Sequence, residues 1–135
     1  MRATEIITES FLGKNSRRIY DILLSATGAG PMDGGCVVMA QALQIRYGGQ
    51  IKVLVGYPQK NSNNEVALHA VVETKSMLVD ALGADSADNV IRRFERNELA
   101  FAGGAVTGVR GIQPNDLPDA SRDNNAAIQI SKLLR

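Results

Sequence analysis

The sequence predicts a fold that contains both α-helices and β-strands, with helices before and after a central group of strands. The stretch from Cys36 to Tyr47 is apolar at nearly every position and ends at Gly48-Gly49, as expected of a buried helix. Valine-rich runs with alternating polarity follow it, which is typical of strands. Apolar residues at helical spacing recur toward both ends of the chain.

The first third of the chain is predicted to be helical. Apolar residues recur at helical spacing in two groups, which are Ile6, Ile7, Phe11 and Leu12, and then Ile19, Ile22, Leu23 and Ala26. A segment rich in glycine, residues 27–32, ends the second helix and forms a loop. Asp33 is then predicted to cap the buried helix that begins near Cys36.

Three strands are predicted over residues 51–57, 66–73 and 77–80. The last two are separated by Thr74, Lys75 and Ser76, which is the length of a hairpin turn. If Thr74 and Lys75 form the turn, His69 lies opposite Asp80, where opposed side chains have Cβ atoms about 4.5–5.5 Å apart. A turn one residue later would place Asp80 opposite Val71, so a contact between His69 and Asp80 depends on the register.

The last third is predicted to contain a helix, a short edge strand and a final helix. The helix covers residues 86–98, with Val90, Ile91 and Phe94 inward and Arg92, Arg93 and Glu95 outward. The edge strand covers residues 105–112, and a loop follows over residues 113–119. Asp119 or Ser121 could cap the final helix. Its inward residues are predicted to be Ala127, Ile130, Leu133 and Leu134.

Length, charge and cysteine content restrict the class of protein. The chain of 135 residues is expected to form one domain over residues 1–135. Fifteen Lys and Arg residues against 14 Asp and Glu residues give a net charge of +1 with no basic block, so no nucleic-acid partner is expected. A single cysteine, no signal peptide and no long apolar run favour a soluble cytoplasmic protein that does not contact membranes.

Three residue types that support nucleophilic catalysis occur in a suggestive order, as Cys36, His69 and Asp80. Cys36 is the only cysteine and His69 the only histidine. A thiolate is stabilised at the start of a helix by partial positive charge, and His69 could take the thiol proton and return it to a leaving group. Asp80 could orient the imidazole. Three residues before the thiol, Asp33, Gly34 and Gly35, are the expected oxyanion or substrate-binding segment, with the Cys36 amide as one donor.

Each of these residues also has an ordinary structural explanation. A lone cysteine among valines and alanines is usually a small core residue. A histidine in a strand is usually structural, and Asp80 could begin a turn or cap the next helix. One Cys and one His do not make a structural zinc site without carboxylates, and no metal or cofactor is expected.

The segment from residue 30 to 85 resembles the core of the papain-like cysteine peptidase superfamily. The resemblance rests on Gly-Gly-Cys at the start of a buried helix, on the strand Leu68-His69-Ala70-Val71-Val72, and on the run 78–83, Leu-Val-Asp-Ala-Leu-Gly. The transglutaminase-like branch is the nearest in spacing. The resemblance implies an α+β fold in which the Cys36 helix packs on a small antiparallel sheet that carries His69 and Asp80.

The resemblance also predicts a function, an amide hydrolase or acyl transferase with a Cys-His-Asp triad that acts on a peptide, a protein or a small amide. Papain-type proteases have a glutamine shortly before the cysteine, which this chain lacks, so Gln41 or Gln59 is considered as a second oxyanion donor. The alternatives are a non-catalytic binding or accessory protein on the same scaffold, and a structural or assembly protein without a site.

Overall fold

The computed structural model describes residues 13–32, 34–117 and 123–134. Within these ranges the chain forms four α-helices and one five-stranded antiparallel sheet, so the fold is α+β. The helices are α1 (Ser16–Thr27), α2 (Cys36–Tyr47), α3 (Ala87–Phe94) and α4 (Asn124–Ser131). The strands are β1 (Gln50–Gln59), β2 (Val66–Thr74), β3 (Met77–Asp80), β4 (Gly83–Ser86) and β5 (Gly103–Gly111). Single turns of 3₁₀-helix cover Gly13–Asn15 and Ala100–Ala102, and a π-helical segment covers Glu95–Leu99.

The strands lie in the order β4-β3-β2-β1-β5, and every neighbouring pair is antiparallel. The predicted strands correspond to β1, β2, β3 and β5, and β5 lies at an edge as expected. Strand β4 was not predicted, because its four residues are Gly, Ala, Asp and Ser, which are too few and too polar to give a strand pattern.

Helix α2 is the central helix that its apolar sequence predicts. It begins at Cys36 and ends before Gly48, and seven of its residues are buried. Its N-cap is Gly35, without a side-chain hydrogen bond, rather than the predicted Asp33, which lies outside the described residues. Ile45 is an exception to the burial, with 54% of its surface exposed.

Two hydrophobic clusters lie on opposite faces of the sheet. Ala70 and Val72 of β2 belong to the first cluster, whereas Val71 between them belongs to the second, as the alternation of side chains along a strand requires. The first cluster contains residues of α1, α2 and α4, and the second contains Val90, Phe94 and Leu99. Met32, in the loop before α2, packs against both clusters.

The hairpin register predicted for β2 and β3 is wrong, because the turn lies one residue later than predicted. The observed pairs are Val72 with Val79, Glu73 with Leu78, and Thr74 with Met77, so the turn is formed by Lys75 and Ser76. Lys75 adopts a positive φ of 55° in this turn.

The boundaries of the last two helices also differ from the prediction. The helix predicted over 86–98 is α-helical only to Phe94 and continues as the π segment, and Ser86 is its N-cap, accepting a hydrogen bond from the Asn89 amide at 3.2 Å. The final helix is capped by Asp123, whose carboxylate accepts from the Ala126 amide at 3.0 Å. The predicted caps Asp119 and Ser121 lie outside the described residues, as does the first predicted helix, residues 6–12.

The helices of the described ranges are all shorter or more polar than a bilayer-crossing helix needs to be.

Candidate active site

His69 lies near the middle of the sheet and is fully buried. A β-bulge in β2 precedes it, since His69 pairs with Leu54 of β1 whereas Ala67 pairs with Val55, which leaves Leu68 as the extra residue. Bulges change the direction in which neighbouring side chains point and are common beside active sites. The His69 side chain has 1% of its surface exposed, and its Nε2 is 3.1 Å from Oδ2 of Asp80.

The contact between His69 and Asp80 forms even though the predicted register is wrong. Continuing the observed register places Asp80 beside Val71, which is the arrangement expected to prevent the contact. A turn one residue later moves the partner by two positions, however, and residues two apart share a face of the strand. Asp80 is therefore a diagonal neighbour of His69, at a backbone distance of about 7–8 Å that an imidazole and a carboxylate can bridge.

The Asp80 carboxylate is held at both oxygens. Oδ1 accepts a hydrogen bond from the Leu82 amide at 2.9 Å and one from a terminal nitrogen of Arg93 at 2.7 Å. The other oxygen, Oδ2, contacts His69. The carboxylate is 3% exposed and has three partners, so its orientation is fixed by the turn after β3, by α3 and by β2.

The His69 ring is also held by its face. It stacks on the Phe94 ring of α3, with the ring centroids 4.8 Å apart and the planes inclined by 14°. With Nε2 occupied by Asp80, the nitrogen that remains for a thiol is Nδ1, which has no hydrogen-bond partner of acceptable geometry within the described part of the chain.

Cys36 is close enough to this imidazole for its hydrogen-bonding and charge interactions to raise the pKa of His69. Within the described part of the chain, no hydrogen bond of acceptable geometry joins the thiol to Nδ1. Catalytic hydrogen bonds are often loose before a substrate binds. Cys36 belongs to the first hydrophobic cluster and the Phe94 ring to the second.

Protonation favours an ion pair at this site. Burial lowers the pKa of His69, but the hydrogen bond to Asp80 and the interactions with Cys36 raise it by more, so that the pKa is about 9 against an ordinary 6.5. Burial raises the pKa of Asp80, whereas the hydrogen bond and charge of His69, the charge of Arg93 and the Leu82 amide bring it below its ordinary 3.8. At neutral pH the site therefore holds an imidazolium and a carboxylate.

The loop before Cys36 is closely packed against the preceding glycines. The Gly35 amide donates to the Gly30 carbonyl at 3.0 Å, and the Gly35 carbonyl accepts from the Met39 amide at 3.0 Å. A Cβ atom at Gly35 would lie 2.6 Å from the Gly30 oxygen, so a side chain does not fit there. Gly34 is half-buried beside it. The amide of Cys36, at the first position of α2, is among those that have no partner within the helix.

Gln41 does not contribute to this site. Its side-chain amide donates to Asn124 Oδ1 at 3.1 Å, and its oxygen accepts from the Asp123 amide at 3.3 Å, so it joins α2 to the start of α4. Gln59 is the last residue of β1, where its backbone amide donates to the Ser62 hydroxyl at 3.3 Å.

Arg93 and Phe94 contact the candidate site, but neither was predicted from the sequence to be a site residue. Arg93 was expected to face solvent, but its guanidinium contacts Asp80 and lies 3.5 Å from the Gly83 carbonyl. The sequence contained one signal for Arg93, which is that a carboxylate at the end of a buried strand, Asp80, needs a cation or several hydrogen-bond donors. Phe94 was correctly predicted to face inward, but the sequence does not show that it faces His69.

The site is closed in this structure. The exposed fractions are 2% for Cys36, 0% for His69 and 2% for Asp80. Two cavities bordered by described residues, of about 480 and 300 Å³, lie elsewhere, between α1 and α4 and beside β1 and β5. The described residues contain no group of three or more His, Cys, Asp or Glu side chains placed to hold a metal ion.

Comparisons with protein-family models, with curated proteins and with solved structures found no significant match to this chain.

Proposed function

We propose that this protein is a cysteine-dependent amide hydrolase or acyl transferase of papain-like type, nearest to the transglutaminase-like branch. Cys36 is the nucleophile, His69 the general base and acid, and Asp80 the residue that orients the imidazole. The observation that carries the proposal is the buried His69, whose Nε2 contacts Asp80 at 3.1 Å while Cys36 at the start of α2 interacts with the same ring.

The proposed reaction has two steps. The Cys36 thiolate attacks the amide carbonyl carbon, forming a carbon–sulfur bond, and the imidazolium of His69 donates its proton to the nitrogen as the carbon–nitrogen bond breaks. A water molecule, or an acceptor amine, then loses a proton to His69 and attacks the thioester, and the carbon–sulfur bond breaks, which releases the acid or a new amide and restores the Cys36 thiolate and the imidazolium. The Cys36 amide at the start of α2 is a donor for the oxyanion.

The properties of His69 suit both steps. A histidine with a pKa of about 9 carries a proton at neutral pH, so it can stabilise a thiolate and protonate a leaving amine. Asp80 bonds to Nε2, so Nδ1 is the ring nitrogen that is left for the thiol. We propose a peptide, a protein or a small amide as the substrate, and a cytoplasmic location.

A second candidate function is a binding or accessory protein on the same scaffold. The burial of Cys36, His69 and Asp80, none more than 2% exposed, favours it, because a substrate carbonyl cannot reach a covered thiol. For the enzymatic function to hold, the surface over Cys36 has to open.

The experiment that separates the two candidates is acyl transfer to Cys36. The folded protein is incubated with p-nitrophenyl acetate and quenched in acid, and acetylated peptides are identified by mass spectrometry. We expect a transient thioester on Cys36 that hydrolyses with time, that is absent in Cys36→Ala, and that forms roughly 10²- to 10⁴-fold more slowly in His69→Gln.

Arg92→Met is the control, since Arg92 is an exposed residue of α3 and should behave as the wild type. Failure to acylate Cys36 in the folded wild type would support the binding protein instead.

A further inference from the structure

We propose that Arg93 is a positioning residue of this site, which binds one oxygen of Asp80 so that the other faces His69, and whose fixed charge keeps Asp80 ionised when His69 is neutral. The inference rests on the proposed function for its meaning in catalysis, but the geometry on which it stands is independent of turnover.

The two oxygens of the Asp80 carboxylate have different partners. Oδ1 is occupied by the Leu82 amide at 2.9 Å and by Arg93 at 2.7 Å, which leaves Oδ2 for His69 at 3.1 Å. The contact with Arg93 is the shortest of the three. Because the two oxygens are joined in one plane, fixing Oδ1 fixes the direction of Oδ2.

Arg93 also balances the charge of Asp80 when His69 is neutral. During the proposed reaction His69 alternates between imidazolium and neutral imidazole, and Asp80 stays buried throughout, with 3% of its side chain exposed. When His69 is neutral, a buried carboxylate without a cation tends to take up a proton itself. A protonated Asp80 would no longer hold the imidazole in place. Arg93 keeps its charge at any relevant pH, so it supplies the missing counter-ion in that state.

The charges around Asp80 come from three sides. His69 on β2 and Arg93 on α3 both lower the pKa of Asp80, and Cys36 on α2 raises the pKa of His69. Asp85 on β4 is a second anion near Arg93, but it is bonded to Asn89 at 3.0 Å and lies in solvent, where its influence is screened.

The burial of the Arg93 side chain is unfavourable by itself. The Arg93 side chain is only 17% exposed, and its Nε is buried without a hydrogen-bond partner within the described residues. A buried N–H group without a partner costs free energy, because it has lost its hydrogen bond to water. A surface arginine would avoid that cost by turning outward, so the contact with Asp80 outweighs it.

The test uses the single histidine as a probe. The pH titration of the His69 ring is followed by NMR through its carbon-bound protons in the intact protein, with the wild type compared with Arg93→Met and Arg93→Lys. Removing the cation leaves the imidazolium as the main counter-ion of Asp80, so we expect the pKa of His69 to rise by about one unit in Arg93→Met. Arg93→Lys retains the charge and should shift it less.

A double variant shows whether Arg93 acts through Asp80. In an Asp80→Asn background, Arg93→Met should leave the titration of His69 unchanged, because the group through which Arg93 acts has lost its charge. Arg92→Met is the matched control and should have no effect in either background. Circular dichroism confirms that each variant is folded, and Arg93→Gln, which also removes the charge, carries the test if Arg93→Met does not fold.

The outcomes separate this inference from the proposed function. An unchanged or lowered pKa of His69 in Arg93→Met, or an equal shift in the Asp80→Asn background, would overturn the role of Arg93. Neither result would bear on whether Cys36 can be acylated. A raised pKa together with no acylation of Cys36 would keep the role of Arg93 as the counter-ion of Asp80 and overturn the enzymatic function.

Discussion

His69 and Asp80 form a pair whose ionisation is linked to the stability of the fold. The pKa of His69 lies above its ordinary value and that of Asp80 below its ordinary value. A raised histidine pKa contributes stability that is complete below pH 6.5 and is lost as the pH rises toward 9. A lowered carboxyl pKa contributes stability that is present above pH 3.8 and is lost as the pH falls below it. The pair therefore stabilises the fold most between about pH 3.8 and pH 6.5.

The dependence of stability on pH gives a prediction at the level of one residue. We expect the free energy of unfolding of the wild type to fall by about 3 kcal/mol between pH 6 and pH 9.5 through His69 alone, a difference of a few pKa units at 1.36 kcal/mol each. Urea denaturation of the wild type and of His69→Gln across this range measures it, and the variant should lose much less. Parallel curves for the two proteins would show that His69 does not titrate as described.

The start of helix α2 is the element that places the thiol. Gly35 adopts an ordinary φ of −87°, so the reason for glycine there is steric rather than conformational. Its Cβ position lies 2.6 Å from one carbonyl oxygen and 3.1 Å from another, those of Gly30 and Ala29. These are backbone atoms, so relieving the overlap requires the loop to move away from α2.

A substitution at Gly35 should therefore affect both stability and the reactivity of the thiol. We expect Gly35→Ala to destabilise the fold by about 1–3 kcal/mol, the usual cost of overpacking, and to slow acylation of Cys36 by moving the start of α2. Gly111→Ala is the matched control, because a Cβ at the end of β5 meets nothing within 4 Å and the residue has no positive φ. Equal unfolding midpoints for the two variants would contradict the steric account.

The elements that the sequence predicts well are those whose pattern is local. Helix α2 is recognisable from its apolar run, and β3 was predicted with the boundaries that the structure has, Met77–Asp80. Strand β4 was missed because Gly83–Ser86 contains no alternating apolar residues, and it exists because it pairs with β3. The pairing of His69 with Asp80 was expected for a register that does not occur, and it forms because parity along a strand is preserved. Arg93 was not predictable from the polarity of α3, since a tertiary contact with Asp80 decides its direction.

At the scale of the whole molecule, the site lies between two hydrophobic clusters on opposite faces of one sheet. Cys36 comes from the cluster that includes α1, α2 and α4, and the Phe94 ring against His69 comes from the cluster that includes α3. This placement explains the low exposure of the three residues, whereas the elevated pKa of the imidazole comes from Asp80 and Cys36, whose interactions outweigh the effect of burial.

The reactivity of Cys36 in the intact folded protein tests whether this thiol is a nucleophile activated by His69. The measurement is the rate of alkylation by iodoacetamide at pH 7, in buffer and in urea, for the wild type and His69→Gln. We expect the folded wild type to be alkylated at a measurable rate through opening of the surface over Cys36, and His69→Gln to lose about tenfold or more of this rate when folded. A wild-type thiol that is inert when folded and reacts only in urea would contradict the account and identify Cys36 as a core residue.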